Sequence, residues 1–294
     1  DVCGQEQHNT RVNTDGKEQR ATDGCHHHTD PHEHPRTMTV EQATGHQRAH
    51  RVDDAAAPAD AAAATPAAEE ATDLAALAEL TAQRSAVYRL LARLYRVEVD
   101  EEFLAELKAM RFPAATGNTA VDAGYRAIAT YLSGADAHAI TDLAVDYVRA
   151  FIGHGVDAYS AAYPFESVYT SPKRLMMQEA RDEVLAVYRS EGLDKLPSWK
   201  ESEDHIALEL EFMAVLGDRI VTAAEAADEA EVERLLSTQR NFLEDHLASW
   251  APLMTADLRR FAQCGLYQGL ASLTDGFLQV EEEFFDEIFE TEGE

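Results

Sequence analysis

The chain has 294 residues, 45% of them apolar, enough for one sizeable core with an appendage. Fifty-four acidic residues face 25 basic ones, for a formal net charge of −29; such a surface repels nucleic acid and anionic lipid and attracts cationic partners. No apolar run is long enough to span a bilayer.

The polar opening residues lack the apolar stretch of a secretory signal. The odd, sparse set Cys3, Cys25 and Cys264 suits a reduced, cytoplasmic protein. Adaptation to high salt is the main expected cause of the acidity, because acidic side chains keep a protein soluble where charge is screened. Local attraction of a basic peptide is a second.

Residues 1–72 hold eight of the twelve histidines and almost no large apolar side chain, and 53–71 is an Ala/Pro/acid tract. This composition cannot offset chain entropy by burial, so 1–72 is expected to be a disordered leader and 73–290 the folded domain. Met38 opens Met-Thr-Val-Glu-Gln, which reads like an ordinary protein start; residues 1–37 are expected to be an upstream extension or the result of a misplaced start codon.

From Asp73 the pattern is helix after helix. Asp73 caps a stripe of Leu74, Leu77, Leu80, Val87, Leu91, Leu94 and Tyr95. Asp100 caps a short helix carrying Phe103, Leu104, Leu107 and Met110, stopped by Pro113. A third helix runs from about Thr119 to Leu132 and ends by Gly134. A fourth presents Ile140, Leu143, Tyr147 and Phe151 and ends by Gly153. Ser171-Pro172 supplies a cap and first-turn proline for a helix closed by Gly192.

After a polar loop through Trp199, Asp204 begins a helix with Ile206, Leu210, Phe212, Met213 and Leu216. A long charged helix spans about 223–250, another covers 255–277, and a short acidic one holds Phe284, Phe285, Ile288 and Phe289. Period-2 alternation never lasts, so the fold class is all-α, one bundle-like globule of about eight to ten helices. The irregular stretch 152–170 exceeds the usual connection length, and its four aromatics argue that it is packed.

Common chemistry is absent. Cys25-His26-His27-His28 with His32 and His34 offers incidental metal affinity without a scaffold. His138, His154, His205 and His246 lack the Glu-x-x-His spacing of bundle metal sites. His205 and Glu209 make an i, i+4 pair, short of the ligands a zinc site needs. The phosphate loop, the dinucleotide fingerprint and the serine elbow are missing. Cys264, among Phe261, Ala262 and Leu266, reads as core. No catalytic residue, metal or cofactor is expected.

Three polar-aromatic clusters stand out instead. In the first, Asp146 near a helix end needs a partner against the dipole, and Tyr147 and Phe151 anchor the next loop. The second is Tyr163-Pro164-Phe165-Glu166-Ser167-Val168-Tyr169, where Pro164 restrains the chain, Glu166 and Ser167 bond local backbone, and the aromatics form a wall. The third, Glu201-Ser202-Glu203-Asp204-His205, lies at a loop-to-helix junction. Read as a packed loop and an ordinary cap, these clusters are structural. Read functionally, the third is an acidic lip beside an apolar surface of Phe212 and Met213, suited to a peptide that combines arginines with an apolar run.

These residues resemble the TorD/DmsD family of cytoplasmic redox-enzyme maturation chaperones over roughly residues 75–290. The matching stretches are Asp146, Tyr147, Phe151 and Gly153; Pro164 to Tyr169; Glu201 to His205 with the helix from Ile206 to Met213; and Phe242, His246, Leu247 and Trp250. Ser202 replaces the family's usual proline and loosens the φ restraint on the loop. The resemblance implies binding of the twin-arginine signal peptide and apo form of a molybdopterin oxidoreductase, assisting cofactor insertion and delaying export. It makes Asp204 and His205 the leading peptide contacts, supported by Glu201, Glu209, Tyr163, Phe165 and Tyr169. Asp146, Tyr147, Pro164, Ser167, Phe212, Met213 and Trp250 brace them. Guanine-nucleotide binding finds no phosphate loop here, and a homodimer stays open.

Two other readings remain: a metal-dependent helical enzyme using His205, Glu209 and His246, and an acidic structural adaptor for another basic protein.

Overall fold

The computed structural model describes residues 66–153 and 159–291; the expected leader lies almost wholly outside them. Helix α1 (Pro66–Arg96) begins before the expected cap at Asp73, because an Ala-rich tract behind a first-turn proline is itself strongly helix-forming. Helix α2 (Glu101–Ala109) starts where expected, with the Asp100 carboxylate accepting from the Phe103 N–H. Helix α3 (Thr119–Gly134) is capped by Asn118, whose side chain accepts from Ala120 and Val121. Helix α4 (Ala139–Tyr147) runs into a π-helical turn, Val148–Ile152.

A short α5 (Glu166–Thr170) lies in the expected irregular stretch, and α6 is Glu179–Ser190. Helix α7 (Ile206–Glu225) and α8 (Glu229–Phe242) are followed by a second π-helical turn, Leu243–Leu247, then α9 (Ala248–Phe261) and α10 (Gly265–Thr291). Among the described residues there is no strand, only one isolated antiparallel bridge between Phe165 and His205. Among the described residues no helix is long and apolar enough to cross a membrane. The all-α expectation holds.

Two long pairings organise the domain: α1 lies along α7 and α3 along α10. The second depends on glycine. A Cβ at Gly124 would sit 2.6 Å from the Leu273 backbone nitrogen, and one at Gly276 2.5 Å from that of Val121. The core between the layers contains Tyr88, Tyr95, Phe242, Trp250, Tyr267 and Phe285, all essentially inaccessible. An arginine–carboxylate pair is buried within it. Arg84 donates to both Glu281 oxygens at 2.8 and 2.6 Å, Tyr88 donates to the same carboxylate at 2.7 Å, and the guanidinium lies 3.8 Å from the Phe284 ring centre. A buried pair survives when its remaining donors and acceptors are satisfied, as most are here.

Several expected boundaries move. No helix starts at Ser171-Pro172; residues 171–178 form a loop in which Arg174 and Met177 take φ values of 50° and 56°. The expected long helix over 223–250 is broken at Ala227, which adopts φ 53° while Asp228 caps α8 by accepting from Glu231. The stop there is alanine, not the glycine that marks such ends in sequence. The expected helix over 255–277 is divided at 262–264 between α9 and α10, and α10 runs on through the expected short terminal helix.

Candidate functional site

The second and third clusters meet through the backbone. Ile206 N–H donates to Pro164 O at 3.0 Å and Glu166 N–H to Asp204 O at 2.9 Å, so the chain entering α5 lies antiparallel to the chain entering α7. Side chains complete the clamp. Asp204 Oδ2 accepts from the Ser167 N–H at 2.9 Å, and the Ser167 hydroxyl accepts from the Gln178 N–H at 3.1 Å. Pro164, Phe165 and Ser167 are all buried at this junction.

His205, not Asp204, caps α7. Its Nδ1 accepts from the Ala207 N–H at 3.0 Å, so the proton of the neutral ring is on Nε2. The ring stands edge-on to Phe165 and Trp199, with centroids 5.0 and 5.3 Å away. Burial, then the charge of Arg96, push its pKa down to about 3. Asp204 is 0% exposed and His205 3%. The expected acidic lip is therefore not made by these two: they are interior residues that fix the loop-to-helix junction.

Behind them lies a buried polar row. Glu166 and His246 face each other at 3.1 Å, and the Trp250 N–H donates to Glu209 at 3.1 Å. Burial, then the charges of Glu166 and Asp204, raise the Glu209 pKa well above the usual carboxylate range, which favours its protonated form. Trp250 stacks on Tyr169 with centroids 5.7 Å apart, and the Tyr169 hydroxyl donates to Asp257 at 3.3 Å. His205, Glu209 and His246 thus have different partners. Among the described residues, no group of three or more His, Cys, Asp or Glu side chains is placed to hold a metal ion.

The outer side of the junction is different. Glu201 is exposed. Glu203 receives Arg181 Nε on one oxygen at 2.6 Å and Lys195 Nζ on the other at 3.0 Å. Burial raises its pKa, but these hydrogen bonds overcome that and hold it at about 2. Lys195 Nζ also donates to Glu201 O at 2.6 Å.

Beside Glu203 opens a groove of about 110 Å³ between α7 and residues 193–199. Its apolar wall is Leu193, Leu196, Trp199, Leu208, Phe212 and Val215, with Tyr188 beneath. Arg96, Asp194, Lys195 and Glu211 also line it. The Arg96 guanidinium carbon lies 4.8 Å from the Trp199 ring centre. Phe212 therefore does line an apolar cleft, whereas Met213 turns inward and is fully buried. Sequence reasoning missed Leu193, Leu196 and Trp199; three large apolar residues spaced through a short charged loop were the available signal.

The first cluster braces the fold, and its segment meets the second through the Ala162 N–H, which donates to Ala150 O at 2.8 Å. The Asp146 carboxylate accepts from the Gln263 and Cys264 N–H groups at 2.8–3.0 Å, just before α10 begins, and takes Arg149 at 2.6 Å. That supplies the partner its position demanded. Tyr147 donates to Tyr95 O at 3.0 Å. Tyr163, half-buried, pairs its hydroxyl with Ser160 at 2.9 Å.

Comparison with known proteins places these motifs. A family model described as nitrate reductase delta subunit matches residues 117–256. The chain is 29% identical over 149 residues to the chaperone protein TorD of Vibrio cholerae serotype O1 (El Tor Inaba), covering 51% of this chain and 64% of that one, just under two thirds of the relative's length. It is 27% identical over 210 residues to the chaperone protein TorD of Photobacterium profundum, covering 69% and 94%. A solved redox enzyme maturation protein from Archaeoglobus fulgidus aligns at 19% identity and a TM-score of 0.37, covering 69% and 93%. With the four motifs in order on an all-helical scaffold and these sequence relatives, the chain is similar to the TorD chaperones over most of its described length.

Proposed function

We propose that this chain is a maturation chaperone for a molybdopterin oxidoreductase, holding the apoenzyme in the cytoplasm by its twin-arginine leader until the cofactor is inserted. The observation that carries this reading is the apolar groove beside α7 with the Glu203 carboxylate near it. A twin-arginine leader is a pair of cations followed by an apolar run, and the groove offers both chemistries side by side. Sequence relatives named as chaperone protein TorD support the same reading.

The magnitudes assign the roles. A solvent-exposed carboxylate–cation contact contributes only about 0.2–1 kcal/mol, whereas apolar burial contributes about 25 cal/mol per Å². The groove therefore supplies most of the affinity and the carboxylates supply the choice of arginine. On this reading Asp204, His205 and Phe165 act by holding the junction, Glu201 stays at the surface, and Glu209 and Trp250 support α7 from behind.

Leu196, 65% exposed on the groove rim, provides a test that spares the core. Leu196→Asp is expected to weaken calorimetric binding of a synthetic Arg-Arg leader peptide by at least about tenfold with an unchanged melting temperature. Unchanged affinity would remove the groove from the proposal. Equal binding of a Lys-Lys peptide by the wild type would reduce the chain to a general acidic adaptor.

A further inference from the structure

We propose that Glu203 is the carboxylate that reads an arriving arginine, and that the chain's own Lys195 and Arg181 compete with the leader for it. This rests on the peptide-binding reading above, and it assigns regulation and specificity to a residue of the third cluster that was not among the expected peptide contacts.

Of the acids at the junction, Asp204 is committed to the Ser167 N–H and Glu209 to Trp250. Glu203 alone has one cation on each carboxylate oxygen, Arg181 at 2.6 Å and Lys195 at 3.0 Å. It already makes, within one chain, the two-cation contact that a pair of leader arginines would demand. Its side chain is only 8% exposed, while those of Arg181 and Lys195 are 32% and 23% exposed. The cations are the cover and the carboxylate lies beneath.

The link to the groove is direct. Lys195 lines it, and so does Tyr188, whose hydroxyl donates to Glu203 O at 3.3 Å. An ammonium is a point charge, whereas a guanidinium offers a planar fork to both carboxylate oxygens. An arginine at the groove mouth is therefore the better occupant once the apolar run is seated, and Lys195 is the weaker, displaceable one. A leader with arginines but no apolar run gains too little to displace it; an apolar run without arginines leaves Lys195 in place over Glu203.

The test uses the full chain and a synthetic peptide of two arginines followed by a leucine–alanine run, titrated by calorimetry. Lys195→Met removes the competing charge and keeps the stem, and is expected to tighten binding by about threefold to tenfold. Lys173→Met, the same charge change on an exposed loop residue away from the groove, is the control and is expected to leave affinity unchanged. Glu203→Gln keeps shape and is expected to weaken the Arg-Arg peptide by about tenfold, with no change for a peptide carrying glutamines in place of the arginines. If Lys195→Met fails to tighten binding, or matches Lys173→Met, the competition is overturned. If Glu203→Gln affects both peptides alike, the arginine assignment is overturned. If the wild type and Lys195→Met bind neither peptide, the peptide-binding reading itself fails, a result separable from the other two.

Discussion

His205 and Glu209 sit one helical turn apart, and their burial gives them opposite dependences on pH. The His205 pKa is depressed to about 3, so the unfolded chain takes up a proton near the ordinary imidazole value that the folded chain refuses. Its contribution is full above about pH 6.5 and is lost as pH falls toward 3, by at most about 1.4 kcal/mol per unit. The Glu209 pKa is raised, so the folded chain keeps a proton that the unfolded chain releases. That contribution is present below the ordinary carboxylate pKa and is lost as pH rises through the folded value. Urea unfolding across pH should therefore show stability falling on both sides of a mildly acidic optimum. Glu209→Gln, which still accepts from Trp250, should flatten the alkaline arm; His205→Asn, which still offers a capping oxygen, should flatten the acidic arm. A variant that leaves its arm unchanged would exclude that residue as the cause. The sequence made this junction legible as a loop-to-helix start, with acids and an imidazole together. It hid the burial, because a cap looks the same covered or exposed, and the cover here is Phe165, 40 positions away, and Trp199 from the preceding loop.

Among helices, the difference between what patterning conveys and what packing decides is clearest at α3 and α10. Apolar periodicity located both, since Val121, Tyr125, Ile128, Leu266, Leu270 and Leu273 repeat at helical spacing and are buried. Periodicity did not show that the axes approach through Gly124, Gly269 and Gly276, because a glycine inside a helix reads only as a weakness. The same local view misjudged Ser171-Pro172, a good cap and first-turn proline in isolation. Gln178 N–H instead bonds the Ser167 hydroxyl, and Arg174 reaches Asp257 on α9 at 3.3 Å, so long-range contacts hold the loop. The packing account has a direct check. Gly276→Ala places its Cβ 2.5 Å from the Val121 backbone nitrogen, which cannot yield as a side chain would, and should cost about 1–3 kcal/mol. Gly134→Ala, with nothing within 4 Å of the new Cβ, should be neutral or stabilise by about 0.4–1 kcal/mol. Thermal melts of the two variants separate these outcomes; equal effects would reject close approach as the reason for the glycines.

Across the whole molecule the net charge of −29 sets stability and binding against each other as salt is varied. The composition announced the acidity, but not that the principal buried ion pair, Arg84 with Glu281, is sequestered from it. Surface carboxylates repel one another, and that repulsion is screened as the Debye length falls from about 10 Å at 0.1 M salt to about 3 Å at 1 M. The Arg84–Glu281 pair is 7% and 0% exposed, so salt has little access to it and should not weaken the core in return. Stability in sodium chloride should therefore rise over this range. The cation contacts at Glu203 lie nearer solvent through Arg181 and Lys195, and are open to screening. Leader binding should respond by losing its preference for arginine while keeping the part that comes from the groove. Calorimetry at the two salt concentrations with Arg-Arg and Gln-Gln peptides measures this: the affinities should converge at high salt as the melting temperature climbs. Affinities that stay apart while stability rises would mean that arginine is read by a carboxylate as shielded as Glu281, and Glu203, reached through its two partly exposed cations, would then be the wrong one.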